Sequence, residues 1–164
     1  MKVWINGAFV EDTEATMSVF DSGIQHGVGL FETMIARNGH VFRAMDHMNR
    51  LANSCAALRL TEKLHVEPLV EALQLTLEAN EQTEARIRIT ITGGDLNMLQ
   101  QTGAGGSDPT IIIQSQPPTN YPDGFYKNGT LVSLASGRVN PFAFTAGHKT
   151  LDYWGNLLNL QMSA

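Results

Sequence analysis

Two stretches in the middle of the chain carry apolar residues at helical intervals. From Ala44 to Leu58 the apolar positions recur every three or four residues, and the same spacing continues from Val66 to about Asn80. Residues at these intervals lie on one face of an α-helix. Pro68 falls in the first turn of the second stretch, where a missing N–H costs no hydrogen bond. The pattern therefore predicts two consecutive amphipathic helices.

Alternating and short apolar runs on either side of these helices predict strands. Ala85 to Thr92 alternates isoleucine with arginine or threonine, which is typical of a strand with two different faces. Asn6 and Asn38 each precede a glycine between two such runs, and Asn-Gly favours a two-residue hairpin turn. The predicted strands are residues 2–5, 8–10, 31–36, 40–42, 85–92, 110–116 and 130–135, and a further helix is predicted at residues 154–162.

A proline-rich stretch at residues 117–124 lacks any apolar period, which is typical of a linker. Strands, two consecutive helices and then more strands precede it, and this order is typical of an α+β domain. We therefore predict an α+β domain at residues 1–116, a linker, and the beginning of a second domain at residues 125–164.

The composition is that of a folded protein and argues against several classes of function. Of the 164 residues, 43% are hydrophobic and 16% charged, and a formal charge of −5 without any basic cluster argues against a nucleic-acid partner. No segment approaches the ~20 apolar residues of a membrane helix and no cleavable leader is visible, so we expect a soluble cytoplasmic protein without a membrane partner. Cys55 is the only cysteine and falls in the first helical pattern, where a reduced core thiol is expected. The histidines show no spacing typical of a metal site.

Lys149 stands in a context that is unusual for a surface lysine. A glycine two residues earlier leads into it, and an apolar stretch with Tyr153 and Trp154 follows. Partial desolvation weakens the preference of a lysine for its charged form, and a neutral amine can form a Schiff base with a carbonyl cofactor. The alternative for this lysine taken alone is an ordinary solvated loop residue.

Motifs at both ends of the chain resemble one enzyme family. The sequence KTLDYWGNLL at residues 149–158 resembles the Lys-x-x-Asn-Tyr-Leu-x-Asn signature of the class IV aminotransferases, the fold-type IV pyridoxal-phosphate enzymes. Upstream, GLFETM at residues 29–34 and HMNRL at residues 47–51 resemble the Phe-Glu strand and the His-x-x-Arg-Leu helix of that family. Residues 5–7 (ING) and 20–23 (FDSG) match its opening. The resemblance implies the N-terminal two-layer α+β domain of such an enzyme, followed by the first part of its second domain.

The resemblance also implies a site for pyridoxal 5′-phosphate. It implies that Lys149 carries the cofactor as a Schiff base and moves a proton during the reaction, and that Arg50 binds the cofactor phosphate. It puts Tyr153 where a hydroxyl group bonds the phenolic oxygen of the cofactor. It puts Phe31 and Thr33 on a strand face that looks into the substrate pocket. The alternatives are a solvated helix face for Arg50 and ordinary packing for the last three residues.

Two departures from the family pattern matter. Residues 92–94 (TGG) stand where many members have a Thr-Arg-Gly turn whose arginine binds a substrate carboxylate, so we do not expect carboxylate recognition at this turn. Members of the family continue well beyond the lysine, whereas this chain stops at Ala164. We therefore expect either a short gene or a fragment that lacks the acidic residue facing the pyridine nitrogen.

Three functions remain open at this point. The first is transfer of an amino group between an amino acid and a keto acid, and the second is 4-amino-4-deoxychorismate lyase activity, which eliminates pyruvate. The third is a non-catalytic truncated domain. Because the family builds its pocket at a subunit interface, the resemblance also implies a homodimer, with the segments around Phe31 and Met98 as contact surfaces.

Overall fold

The protein is an antiparallel sheet covered on one face by two long helices. A computed structural model describes residues 1–61, 64–95 and 108–163. None of the described helices combines the length and apolarity that crossing a membrane requires. The elements in chain order are β1 Lys2–Ile5, β2 Ala8–Glu11, α1 Ser22–His26, β3 Gly29–Arg37, β4 His40–Val41, α2 Ala44–Ala57, α3 Val66–Ala79, β5 Ala85–Thr92, β6 Ile111–Gln116, α4 Asp123–Asn128 and α5 Trp154–Met162.

The described strands form one six-stranded sheet in the order β2-β1-β6-β5-β3-β4. The longest pairing joins β3 to β5, from Gly29 opposite Thr92 to Ala36 opposite Ala85. The hairpin turns after β1 and β3 both use Asn-Gly with positive φ at both residues, for example 51° at Asn38 and 75° at the glycine after it. These values are those of the two-residue turns that match the twist of paired strands. Both predicted hairpins are therefore confirmed.

The core lies between the sheet and the helices α2 and α3. Alternate residues of β5 point into it, and Ile87, Ile89 and Ile91 are completely buried. Leu51 of α2 and Leu73 of α3 meet them from the helical side. Both long helices and the β5 strand were predicted from periodicity alone, and the α+β class of the fold is confirmed.

The predicted strand at residues 130–135 is wrong. These residues form no strand, and Leu131 and Leu134 are almost completely exposed, at 100% and 99%. A strand needs a neighbour to bond its backbone groups, and no described strand lies beside this segment. The short helices α1 and α4 were not predicted, because five or six residues are too few to establish a period. The helix α5 was predicted with its observed bounds.

Cys55 is buried in the core as a free thiol. Burial raises the pKa of this thiol to about 12. It is therefore protonated at neutral pH and takes no part in nucleophilic chemistry.

A buried carboxylate joins the sheet to α2. Glu32 of β3 is 1% exposed, and Arg50 donates from Nε to its Oε1 and from Nη2 to its Oε2, both at 2.6 Å. His47 Nδ1 lies 2.9 Å from Oε2 of the same carboxylate. Burial acts to raise the pKa of Glu32, but the hydrogen bonds from Arg50 and His47 outweigh it and hold that pKa below its ordinary value. The same pairing raises the pKa of Arg50.

We expect a Glu32→Gln variant to be less stable than the wild type at neutral pH, by about 1–2 kcal/mol. The figure is modest because the side chain of Arg50 is 61% exposed and water screens the pair. The pKa of Glu32 is lower in the folded than in the unfolded chain. Its contribution is therefore complete above about pH 5 and is lost as the pH falls through about 4 and below. Urea unfolding at pH 7, 5 and 4 measures both effects.

The control for this experiment is Glu71→Gln, which changes an exposed carboxylate on α3. It should leave both the unfolding free energy and its pH dependence unchanged. If Glu32→Gln followed the same pH curve as the control, the ion pair would not be the source of the stability.

Candidate cofactor and substrate site

A cavity of about 860 Å³ opens on the face of the sheet that α2 and α3 leave uncovered. This face carries the alternate residues of β3 and β5, opposite to those that enter the core. Four of the five site residues predicted from the sequence line the cavity. They are Phe31, Thr33, Lys149 and Tyr153.

Lys149 is held in the cavity by its own backbone. The segment of residues 149–151 pairs with the first part of β3: Phe31 N donates to Lys149 O, and Leu151 N donates to Gly29 O, each at 3.0 Å. The side chain then extends over the aromatic wall, with Nζ 4.2 Å from the centre of the Phe31 ring and 5.5 Å from that of Tyr153. The two rings meet edge to face, with centroids 5.5 Å apart.

Gly29 permits this close approach of the lysine segment. A Cβ atom at Gly29 would lie 2.6 Å from Cδ1 of Leu151 and 2.7 Å from the carbonyl oxygen of Ile91. Both distances are shorter than any ordinary contact. The Ile91 oxygen belongs to the backbone of β5, so a side chain here would disturb the pairing of β3 with β5 as well as the packing of Leu151. The glycine that opens the motif at residues 29–34 thus has a packing role.

Two arginines of β5 add positive charge to the same cavity. The Cζ atom of Arg88 lies 3.7 Å from the centre of the Phe31 ring, and its Nε donates to Thr90 Oγ1 at 3.1 Å. Burial lowers the pKa of Arg88, and the nearby charge of Arg86 lowers it further. In the part of the chain that the structure describes, no carboxylate lies within ion-pair distance of Arg86 or Arg88.

Sequence reasoning missed these two arginines as candidate site residues. The signal was present, because the alternation of β5 puts Arg86 and Arg88 on the face opposite the buried isoleucines. What the alternation cannot show is that this face meets Lys149, which lies 61 residues further along the chain than Arg88.

Arg50, the fifth predicted site residue, does not line the cavity. It projects from α2 toward Glu32, on the helical side of β3. Its Nε and Nη2 donate to the carboxylate, whereas its Nη1 donates no hydrogen bond to any of the described residues. Phosphate binding by Arg50 stays a prediction.

The cavity combines a primary amine, three aromatic rings (Phe31, Tyr121 and Tyr153) and two guanidinium groups. A primary amine captures aldehydes and ketones, and guanidinium groups bind carboxylates or phosphates in a bidentate manner. The flat rings suit a planar ligand. The residues present therefore fit an aromatic aldehyde that carries an acidic group, such as pyridoxal 5′-phosphate.

Comparison with known proteins identifies relatives of this chain. The family model of the amino-transferases of class IV matches residues 29–163. A protein of Methanocaldococcus jannaschii assigned as a branched-chain-amino-acid aminotransferase is 37% identical over 160 residues, which cover 96% of this chain and 54% of that protein. An aminodeoxychorismate lyase of Bacillus subtilis is 28% identical over 138 residues, covering 80% of this chain and 45% of the lyase.

A solved structure shares the fold. The crystal structure of the branched-chain amino acid aminotransferase of Escherichia coli superposes with a TM-score of 0.85 at 28% identity, covering 96% of this chain and 54% of the other. The chain thus spans about half the length of the relatives that it matches. Because the family model covers most of the sequence, including the motifs at residues 29–34, 47–51 and 149–158, this chain belongs to the class IV aminotransferase family.

Proposed function

We propose that the protein transfers an amino group between an amino acid and a keto acid, with pyridoxal 5′-phosphate bound covalently to Lys149. The observation that carries the proposal is the position of Lys149: its backbone is bonded to β3 and its Nζ lies 4.2 Å from the Phe31 ring centre inside the cavity. Two solved structures of similar aminotransferases contain pyridoxamine 5′-phosphate and a phosphopyridoxyl amino acid, respectively, which supports the choice of cofactor.

Each cavity residue has a separate role in this proposal. Lys149 Nζ would hold the cofactor through its aldehyde group and, as a free amine, would take a proton from the α-carbon of the substrate. Tyr153, whose ring meets the Phe31 ring that Lys149 approaches, supplies a hydroxyl group for a hydrogen bond to the ligand. Phe31 supplies the apolar surface on which Lys149 Nζ and the Arg88 guanidinium group lie. When bound, pyridoxal phosphate supplies the aldehyde and a ring that accepts electrons.

We propose that Arg50, which lies outside the cavity lining on the helical side of β3, anchors the phosphate through Nη1, the edge of its guanidinium group that Glu32 leaves free. Glu32 then fixes the direction of this edge, because it holds the opposite side of the same planar group. The alternative is that Arg50 only joins α2 to β3.

We propose that Arg88 receives the carboxylate of the substrate. Its guanidinium group and Lys149 Nζ both lie against the Phe31 ring, which puts a group that binds carboxylates close to the reactive amine. It has no carboxylate partner of its own within the described residues. Carboxylate recognition, which was not expected at the turn of residues 92–94, is thereby assigned to strand β5.

A lyase reaction is the second candidate, and its support is the Bacillus subtilis relative named an aminodeoxychorismate lyase. The two reactions share the amine capture and the proton removal by Lys149. They differ in products: a keto acid in one case, and pyruvate with an aromatic amine in the other. Product analysis with 4-amino-4-deoxychorismate and with branched-chain amino acids separates them. A non-catalytic domain would yield neither set of products.

We also propose that residues 1–116 form one domain, joined through residues 117–124 to residues 125–164. All six described strands and both long helices come before residue 117, which supports this division. A cytoplasmic location stays a prediction from the sequence.

We propose a homodimer, but with a different contact surface from the one predicted. Phe31 is only 5% exposed, because Arg88, Lys149 and Tyr153 cover it within a single chain, and Met98 lies outside the described residues. The exposed apolar side chains of α5 offer more contact area. Trp154 is 77% exposed and Leu160 is 66% exposed.

The first prediction concerns Lys149. Incubation with pyridoxal 5′-phosphate, borohydride reduction and peptide mapping should place the pyridoxyl group mainly on Lys149 rather than on the exposed Lys2 and Lys127. Lys149→Arg keeps the charge but removes the reactive amine, so it should lose this label and retain the others. Equal labelling of all lysines would remove the basis of the proposed function.

The second prediction concerns Arg88. Arg88→Met keeps the length of the side chain and removes its charge, so the Kd for 4-methyl-2-oxopentanoate, measured by calorimetry, should rise about ten- to hundredfold. This corresponds to the loss of one hydrogen bond to a charged group, about 1.5–3 kcal/mol. Arg37→Met, an exposed arginine on β3, is the matched control and should not change the Kd. The same Kd in both variants would mean that Arg88 does not bind the carboxylate.

The third prediction concerns assembly. Sedimentation equilibrium at micromolar concentration should give the mass of two chains, and Leu160→Glu should shift the equilibrium toward one chain because it buries a charge in the contact. A wild-type chain that sediments as a monomer would contradict the proposed homodimer.

A further inference from the structure

The segment that carries Lys149 has two sides, and each meets a different part of the protein. Residues 149–151 pair with the start of β3 around Leu30, whereas His148 ends a turn in which its N donates to Thr145 O at 3.1 Å. Lys149 and Leu151 line the cavity. His148 points the other way, toward the helical layer, where its Nδ1 lies 3.0 Å from Ser54 Oγ of α2.

Ser54 is a buried residue on the inner face of α2. It is 8% exposed, and it follows Arg50 by four residues, which puts both on the same side of the helix. The same face of α2 therefore holds Glu32 through Arg50 and the residue before Lys149 through Ser54. No residue of α2 lines the cavity, yet the helix bonds to Glu32 on β3 and to the residue before Lys149.

The backbone hydrogen bonds to β3 do not prevent residues 149–151 from rotating about the axis of the segment. Two hydrogen bonds to Gly29 and Phe31 fix the position of the segment along the edge of β3. A short segment that is paired on one side only can still rotate about its own axis. Such a rotation moves the Nζ atom of a lysine farther than it moves the backbone. A bond from the adjacent side chain on the opposite face resists this rotation.

We propose that Ser54 is a positioning residue for Lys149, acting through His148 to hold the lysine amine over the Phe31 ring. Ser54 touches neither cofactor nor substrate, and its hydroxyl group carries the effect. The proposal rests on the proposed function of Lys149 as the residue that captures the cofactor.

The test compares Ser54→Thr with Ser54→Val. The two variants have the same shape, and only the threonine keeps a hydroxyl group. With pyridoxal 5′-phosphate as the probe, borohydride reduction and peptide mapping give the label on Lys149 relative to that on Lys2 and Lys127. We expect this ratio to be about three- to tenfold lower in Ser54→Val than in Ser54→Thr, the effect of one net hydrogen bond. Asn53→Ala, an exposed position on the same helix, should retain the wild-type ratio.

Amide hydrogen exchange gives a second readout without any cofactor. The Leu151 amide, which donates to Gly29 O, should exchange faster in Ser54→Val than in Ser54→Thr, while the amides of β5 exchange equally in both. His148→Ala should lower the labelling ratio as Ser54→Val does, and combining the two changes should lower it no further, because both remove the same bond.

The outcomes separate this inference from the proposed function. If the wild-type chain shows no preference for Lys149, the proposed function fails. If the wild type prefers Lys149 but the threonine and valine variants give the same ratio, the positioning role of Ser54 is overturned. A parallel rise in exchange throughout the sheet of Ser54→Val would also overturn it, because Ser54 would then stabilise the fold as a whole.

Discussion

The pairing of β3 with β5 fixes the relative positions of nearly all the groups described above. It runs from Gly29 opposite Thr92 to Ala36 opposite Ala85, and it sets which side chains share a face of the sheet. One face carries Phe31 and Arg88 and receives Lys149. The other carries Glu32 and the core isoleucines. A shift of this pairing by one residue would exchange the two faces, so the cavity and the core are specified by the same register.

The local elements could be predicted from the sequence, whereas the contacts between them could not. Periodicity and turn chemistry depend on residues that are close in sequence. They predict the helices α2 and α3, the strand β5 and both Asn-Gly hairpins. The pairing of Glu32 with Arg50 and the docking of residues 149–151 on β3 join distant positions, and no periodicity records them. The family resemblance supplied part of this information by linking Lys149 to a cofactor. It did not indicate that the strand of Arg88 would face the same cavity.

The error at residues 130–135 has the same origin. Their composition favours a strand, but a strand is stable only where a partner accepts its backbone hydrogen bonds. Here Leu131 and Leu134 lie in solvent, and propensity had no tertiary contact to support it.

Net charge misleads in a similar way, since a chain with a formal charge of −5 presents Arg86, Arg88 and Lys149 together in one cavity. For small ligands the local arrangement of charge decides recognition, and the total does not.

The close contact at Gly29 bears on how this sequence can change over time. Four consecutive positions at the start of β3 are each tied to a different neighbour: Gly29 to Leu151, Leu30 to the core, Phe31 to Lys149 and Glu32 to Arg50. A substitution at any one of these positions requires a compensating substitution in a segment far away in the chain. The far end of the strand is different, since Ile35 and Arg37 face solvent. Met34 and Ala36 in the same half are buried in the core, so variation among relatives should be concentrated at Ile35 and Arg37 within this nine-residue strand.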